Sequence, residues 1–154
     1  MKWIVIKENW ATTKHKLQVM RFMLKVCLRI LKRAWVHDFS KYSKEEASYF
    51  AAAGDTKKME YNSPEYKESV EIKLKSALDH HYRMNSHHPQ HFDKGFKEMQ
   101  PLDVIEMLCD WKASTLRYKN GDIKKSLDLN RKRFGYTIQE MKNFEKFYKE
   151  IKSW

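Results

Sequence analysis

The chain has 154 residues, with 31 Lys and Arg against 20 Asp and Glu, and a net charge of +11. That length suits one domain spanning residues 1–154 and burying about two-thirds of its unfolded surface. Four glycines and three prolines are too few for turn-rich sandwiches or barrels, so an all-α bundle of five to seven helices is expected. No uncharged stretch reaches the roughly 18 residues of a membrane span. Residues 1–6 are too short an apolar run for a signal peptide, and polar Lys7-Glu8-Asn9 follows. The expectation is a cytoplasmic protein with no membrane partner.

Thr12 and Thr13 are candidate caps for a first helix whose apolar positions include Leu17, Met20, Leu24, Cys27 and Leu28. The pattern continues through Ile30, Leu31, Ala34 and Trp35 into His37. Between Trp10 and His37 lie seven cations (Lys14, Lys16, Arg21, Lys25, Arg29, Lys32, Arg33) and no acid. This is a solvated face or a surface for a phosphate-rich partner, and charge alone does not choose. Cys27 and Cys109 lack any paired spacing and are expected to be reduced core residues. Ser43-Lys44-Glu45-Glu46 matches a capping box opening a short helix that Gly54-Asp55 ends. Asn62-Ser63-Pro64-Glu65 opens the next, carrying Val70, Leu74, Ala77, Leu78 and His81, and Pro89 stops it. Residues 89–100 read as irregular. Pro101 sits at a first helical position before Leu102, Ile105, Met107, Leu108 and Trp111, the last expected in the core. Asn120-Gly121-Asp122 makes a turn, and a final amphipathic region over 123–154 breaks at Gly135.

The histidines carry the chemistry. His37-Asp38, the pair His80-His81, and Asp110 within an apolar stretch supply imidazole nitrogens and carboxylate oxygens, the donors of a divalent metal site without thiolates. Helical period places His81, Asn85 and His88 on one face, with His80, Met84 and His87 beside it. A core-facing histidine pair needs partners for its ring nitrogens. Asp110, in a segment buried on one side, must be paired, protonated or ligated, and Glu106 one turn earlier is either its companion or a surface charge. His15 precedes His37 by 22 residues, roughly 33 Å along an unbroken helix. The two can share a metal only if the chain turns back between Leu28 and Trp35, and no Gly or Pro there announces such a turn.

The order His15, His37-Asp38, Asp110 resembles that of the HD superfamily of metal-dependent phosphohydrolases, an all-α fold. His15-Lys16-Leu17-Gln18-Val19 resembles its opening His-x-x-x-Val helix. His37-Asp38-Phe39-Ser40-Lys41, the His80-His81 pair, Pro101-Leu102 and Arg117-Tyr118 are similar to its cyclic-dinucleotide phosphodiesterase branch. The branch's Gly-Tyr-Pro signature is absent. It also supplies a histidine between Asp38 and His80 where this chain has none, and Glu46 is a candidate stand-in. Over nearly the whole length, the motifs His-Asp-x-Ser-Lys, His-His-x-x-x-Asn-x-His-His and Glu-Met-x-Cys-Asp-Trp resemble a family of small bacterial and phage proteins of unknown function.

The resemblance implies His15, His37, Asp38, His80, His81 and Asp110 as metal ligands. Six donors suit one octahedral or two bridged ions, with manganese or iron expected ahead of zinc. The implied activity is a phosphohydrolase, a phosphomonoesterase or phosphodiesterase acting on a nucleotide or cyclic nucleotide through metal-activated water. Asp38, Lys41 and His88 are its expected catalytic residues, and Lys41, Asn85 and Arg117 bind the phosphate-containing substrate. Two alternatives stay open: a di-iron oxygenase on the same scaffold, and a non-catalytic basic module that holds a nucleotide or nucleic acid around a structural metal.

Overall fold

The computed structural model describes residues 2–52, 59, 63–117 and 121–152, with the side chains of 2–7, 73 and 152 excepted. Among them the fold is all-α, without strands. The helices are α1 (Lys2–Val36), α2 (Lys44–Ala52), α3 (Pro64–Met84), α4 (Pro101–Thr115), α5 (Ile123–Phe134) and α6 (Ile138–Lys152). Short 3-10 turns occupy Phe39–Tyr42, Pro89–His91 and Gly95–Glu98. The expected turn residues Gly54, Asp55, Asn62 and Asn120, together with Tyr118 and Trp154, lie outside the described residues. No described helix is long and apolar enough to cross a membrane.

The fold falls into two units, Met1–His37 and Asp38–Trp154. The first is a single helix. It begins ahead of the expected caps, so Thr13 lies inside it and donates its hydroxyl back to the Asn9 carbonyl at 2.8 Å, the habit of a mid-helix threonine. The helix continues unbroken through Leu28 to Trp35, where nothing in the sequence interrupts it. Its apolar stripe is exposed, including Leu24, Leu28, Leu31 and Trp35. A lone helix has no second element within its own unit against which to bury such a stripe. The expectation of a buried Cys27 fails for the same reason, and Cys109 is exposed as well.

In the second unit, local signals place the helix ends well. Ser63 Oγ accepts from the Tyr66 amide at 3.1 Å, with Pro64 in the first turn of α3. Gln100 and Asp103 form a reciprocal capping box ahead of Pro101 on α4. Buried Asp103 also accepts from Ser86 Oγ at 2.6 Å, which fastens the loop after α3 to the start of α4. Asp122 caps α5 through the Lys124 amide. Gly135, at φ 70°, supplies the left-handed residue that ends α5 and separates it from α6.

The core lies between α4, α5 and α6: Met107, Leu108, Trp111, Leu127, Tyr136, Phe144 and Tyr148. Trp111 stacks on Phe134 within it, as a core residue should. Tyr136 donates to the Leu127 carbonyl, and Tyr148 to the Leu108 carbonyl at 2.8 Å, so both hydroxyls are satisfied where they are buried. Burial raises both phenols above their usual value near 10, with Cys109, Tyr136 and Asp110 adding to the shift at Tyr148. A raised folded-state value stabilises the fold fully below pH 10 and stops doing so as pH rises beyond it. Thermal melts should therefore fall steeply above that pH, and the Tyr136→Phe/Tyr148→Phe double variant should flatten the decline. At neutral pH each lost hydroxyl bond should cost about 1 kcal/mol.

Candidate metal centre

Asp38 opens the second unit in the left-handed conformation, φ 58° and ψ 21°, and is the one described non-glycine residue with positive φ. Aspartate tolerates this region better than most residues. The bend leads into the 3-10 turn Phe39–Tyr42. Lys41 Nζ donates to Asp38 Oδ2 and lies 5.5 Å over the Phe50 ring.

Asp38 Oδ1 faces two imidazoles, His81 Nε2 at 3.3 Å and His87 Nε2 at 3.4 Å. His81 Nε2 is also 3.0 Å from His88 Nε2. One donor atom from each of Asp38, His81, His87 and His88 falls within 4.8 Å of the others. An oxygen of Asp110 comes equally near an oxygen of Asp38. His81 and His87 are buried. Burial alone would raise the Asp38 carboxyl, but the hydrogen bond and charge of Lys41, with the His81 and His87 rings alongside, hold it far below the usual range. Burial pushes the His88 imidazole down to about 3, with His87 and His81 adding to the effect, so the ring is neutral at physiological pH.

Two glutamates stand behind this group. Glu46, fully buried on α2, lies 2.7 Å from His80 Nδ1 and 2.9 Å from His81 Nδ1. Burial opposes its ionisation, and hydrogen bonds from His80, Ser40 and His81 more than reverse that, lowering its value. Glu106 on α4 lies 3.1 Å from His87 Nδ1. Asn85, the residue closing α3, donates to Ser40 Oγ at 2.7 Å and to the His81 carbonyl at 2.8 Å.

The structure thus brings together Asp38, His81, His88 and, beside Asp38, Asp110. Lys41 touches the site through Asp38. Asn85 braces it rather than opening onto it, and Arg117 is exposed just past the end of α4. His80 turns to Glu46 and joins none of the described donor groups. His37 ends the first unit, next in sequence to Asp38. His15 is exposed on the unbroken α1, roughly 33 Å from His37, so the two cannot share one ion. From the sequence His87 stands only beside the His81 face and not among the metal donors, because helical periodicity is carried past Met84, where α3 ends. Beyond that point the chain turns at Asn85 and Ser86, bringing His87 and His88 together onto Asp38. The usable signal is Asn85 followed closely by Pro89, a helix stop in the middle of a histidine run. From the sequence Glu106 reads as a companion of Asp110 or a surface charge, and Glu46 as a stand-in for the histidine that the resembled branch supplies; neither reads as the partner of a histidine Nδ1.

No curated protein and no solved structure matches the chain. The model of one family of unknown function, DUF5662, matches residues 5–154, and the chain belongs to that family.

Proposed function

We propose that the second unit is a metal-dependent phosphohydrolase acting on a nucleotide or related phosphate ester. The observation that carries this reading is the convergence of His81 Nε2, His87 Nε2 and His88 Nε2 on Asp38 Oδ1, or on one another, in a buried setting. Three imidazoles and a carboxylate are a fitting donor set for zinc, iron or manganese. With four clustered donors in place of six, the sequence-based preference for manganese or iron over zinc no longer holds. A bound divalent cation polarises a phosphoryl oxygen and lowers the pKa of a water molecule. Asp38 supplies the negative charge of the set, and its left-handed backbone aims that carboxylate between the two buried rings. Lys41, held by Asp38, is placed to meet a phosphate oxygen once a cation shares the carboxylate. The neutral His88 ring suits a metal ligand better than a proton donor at physiological pH.

The test is elemental analysis of untagged protein, followed by a phosphoester and nucleotide screen with the metal found. About one or two equivalents of zinc, iron or manganese and turnover of a phosphate ester are expected. Absence of metal after reconstitution with each ion would remove the hydrolase reading.

The exposed cations of α1, among them Lys14, Arg21, Lys25 and Lys32, support a second role as a contact for a phosphate-rich partner. Binding of a nucleic-acid oligomer should then fall steeply as salt rises. Affinity that does not change with salt would exclude it.

A further inference from the structure

The hydrogen-bond inventory around His81 fixes where its ring proton sits. Three groups face Nδ1: Glu46 Oε2 at 2.9 Å, Ser40 Oγ at 3.1 Å and Asn85 Nδ2 at 3.2 Å. Asn85 has two amide hydrogens, and both have closer acceptors, Ser40 Oγ at 2.7 Å and the His81 carbonyl at 2.8 Å. The reverse amide orientation would set an oxygen against that carbonyl, so it is ruled out by repulsion. Were the hydroxyl hydrogen of Ser40 spent on Nδ1, the bare nitrogen would face the Glu46 carboxylate at 2.9 Å, acceptor against acceptor, so Ser40 offers Nδ1 only its oxygen. Nothing is left to donate to His81 Nδ1, so the ring must donate there itself, and Glu46 is the acceptor. The other oxygen of Glu46 takes the Nδ1 hydrogen of His80.

From this we infer that Glu46 is a positioning residue that locks His80 and His81 as Nδ1–H tautomers, turning His81 Nε2 toward Asp38, and that Glu106 does the same for His87. The assignment rests on the metal-centre reading for its purpose, though not for its geometry. A carboxylate behind each imidazole fixes the ring and strengthens its other nitrogen as a ligand. It also gives the adjacent pair His80-His81 a division of labour. Glu46 takes one hydrogen from each ring, and His81 alone turns its other nitrogen to Asp38.

Glu46→Gln separates this from simple packing. Glutamine keeps the shape but offers one acceptor oxygen and one amide group, so it can receive from only one of the two rings. The other ring must present a bare Nδ1 and carry its hydrogen on Nε2. The full-length protein, stripped with EDTA and labelled with ¹⁵N at histidine, is read by two-bond ¹⁵N–¹H spectra at mildly alkaline pH. Nδ1–H for His80 and His81 in the wild type is expected, with one of them switched in E46Q. Zinc affinity, by competition with a chromophoric chelator, should fall roughly 10- to 100-fold in E46Q and stay unchanged in the surface variant Glu71→Gln. A bare Nδ1 on wild-type His81, or a switched tautomer with undiminished zinc affinity, overturns the inference. Should E46Q fail to fold, Glu106→Gln asks the same question of His87, which is expected to be Nδ1–H in the wild type and to lose that hydrogen in the variant. A wild type that shows the expected tautomers and binds none of zinc, iron or manganese upholds the positioning and defeats the hydrolase reading.

Discussion

Asp38→Asn should leave a folded protein that has lost its metal, with affinity down by more than roughly 100-fold, beyond what loss of a supporting residue costs. Asparagine shares the tolerance of aspartate for the left-handed conformation at φ 58°, so the bend into the 3-10 turn survives. What disappears is the one formal negative charge among the four clustered donors, and with it the partner of Lys41. Asp38→Ala removes the charge and adds a backbone penalty of about 1–2 kcal/mol, because alanine is strained where aspartate is tolerated. The two variants should bind metal equally poorly and differ in melting temperature. Elemental analysis beside a thermal melt checks both statements. Wild-type metal content in D38N would mean that the histidines hold the ion without this carboxylate, and the proposed centre would be wrong.

Leu127→Ala should carry the largest cost in stability, about 2–5 kcal/mol, with metal content unchanged in the folded fraction. Leu127 is 1% exposed on α5 within the cluster formed with Met107, Leu108 and Tyr148. Truncation removes apolar surface from water exclusion and leaves a cavity that its aromatic neighbours cannot readily fill. Against a total stability of about 5–15 kcal/mol for a natural domain, that is a large fraction. Urea titration measures it directly. A loss below about 1 kcal/mol, within the range of surface substitutions, would place the stabilising core elsewhere than between α4, α5 and α6.

Local chemistry in the sequence locates much of this fold. Ser63-Pro64, Pro101 and Gly135 mark helix boundaries because each acts through its own backbone geometry, which distant contacts do not override. Asp38, His81 and Asp110 were legible as donors from residue type and family order, and His88 as a catalytic residue; the structure sets His81 and His88 with Asp38, and Asp110 beside Asp38. The rest depended on where a helix stops. Periodicity past Met84 assigns His87 to the flank of a helix that is no longer there, while the real chain folds it against Asp38 and Glu106. His80 shows the reverse limit. Sequence places it beside His81, but adjacent residues on a helix point about 100° apart, and the position of Asp38, which faces His81 Nε2, decides which ring serves the cluster. For α1, the sequence left a turn-back open with no Gly or Pro to make one, and the helix runs straight on.

The four clustered donors come from separate stretches of the second unit: the bend at Asp38, the last turns of α3 at His81, and the loop at His87 and His88. An ion held among them joins points some 40 to 50 residues apart along the chain, as a cross-link does, and restricts the unfolded ensemble most where the closed loop is long. Loading should thus slow proteolysis of the segment from Phe39 through α2 and α3, while leaving α5 and α6, which lie beyond the last donor, at their metal-free rate. Chelation would then convert a chemical question about the site into a mechanical one about which half of this unit loosens first.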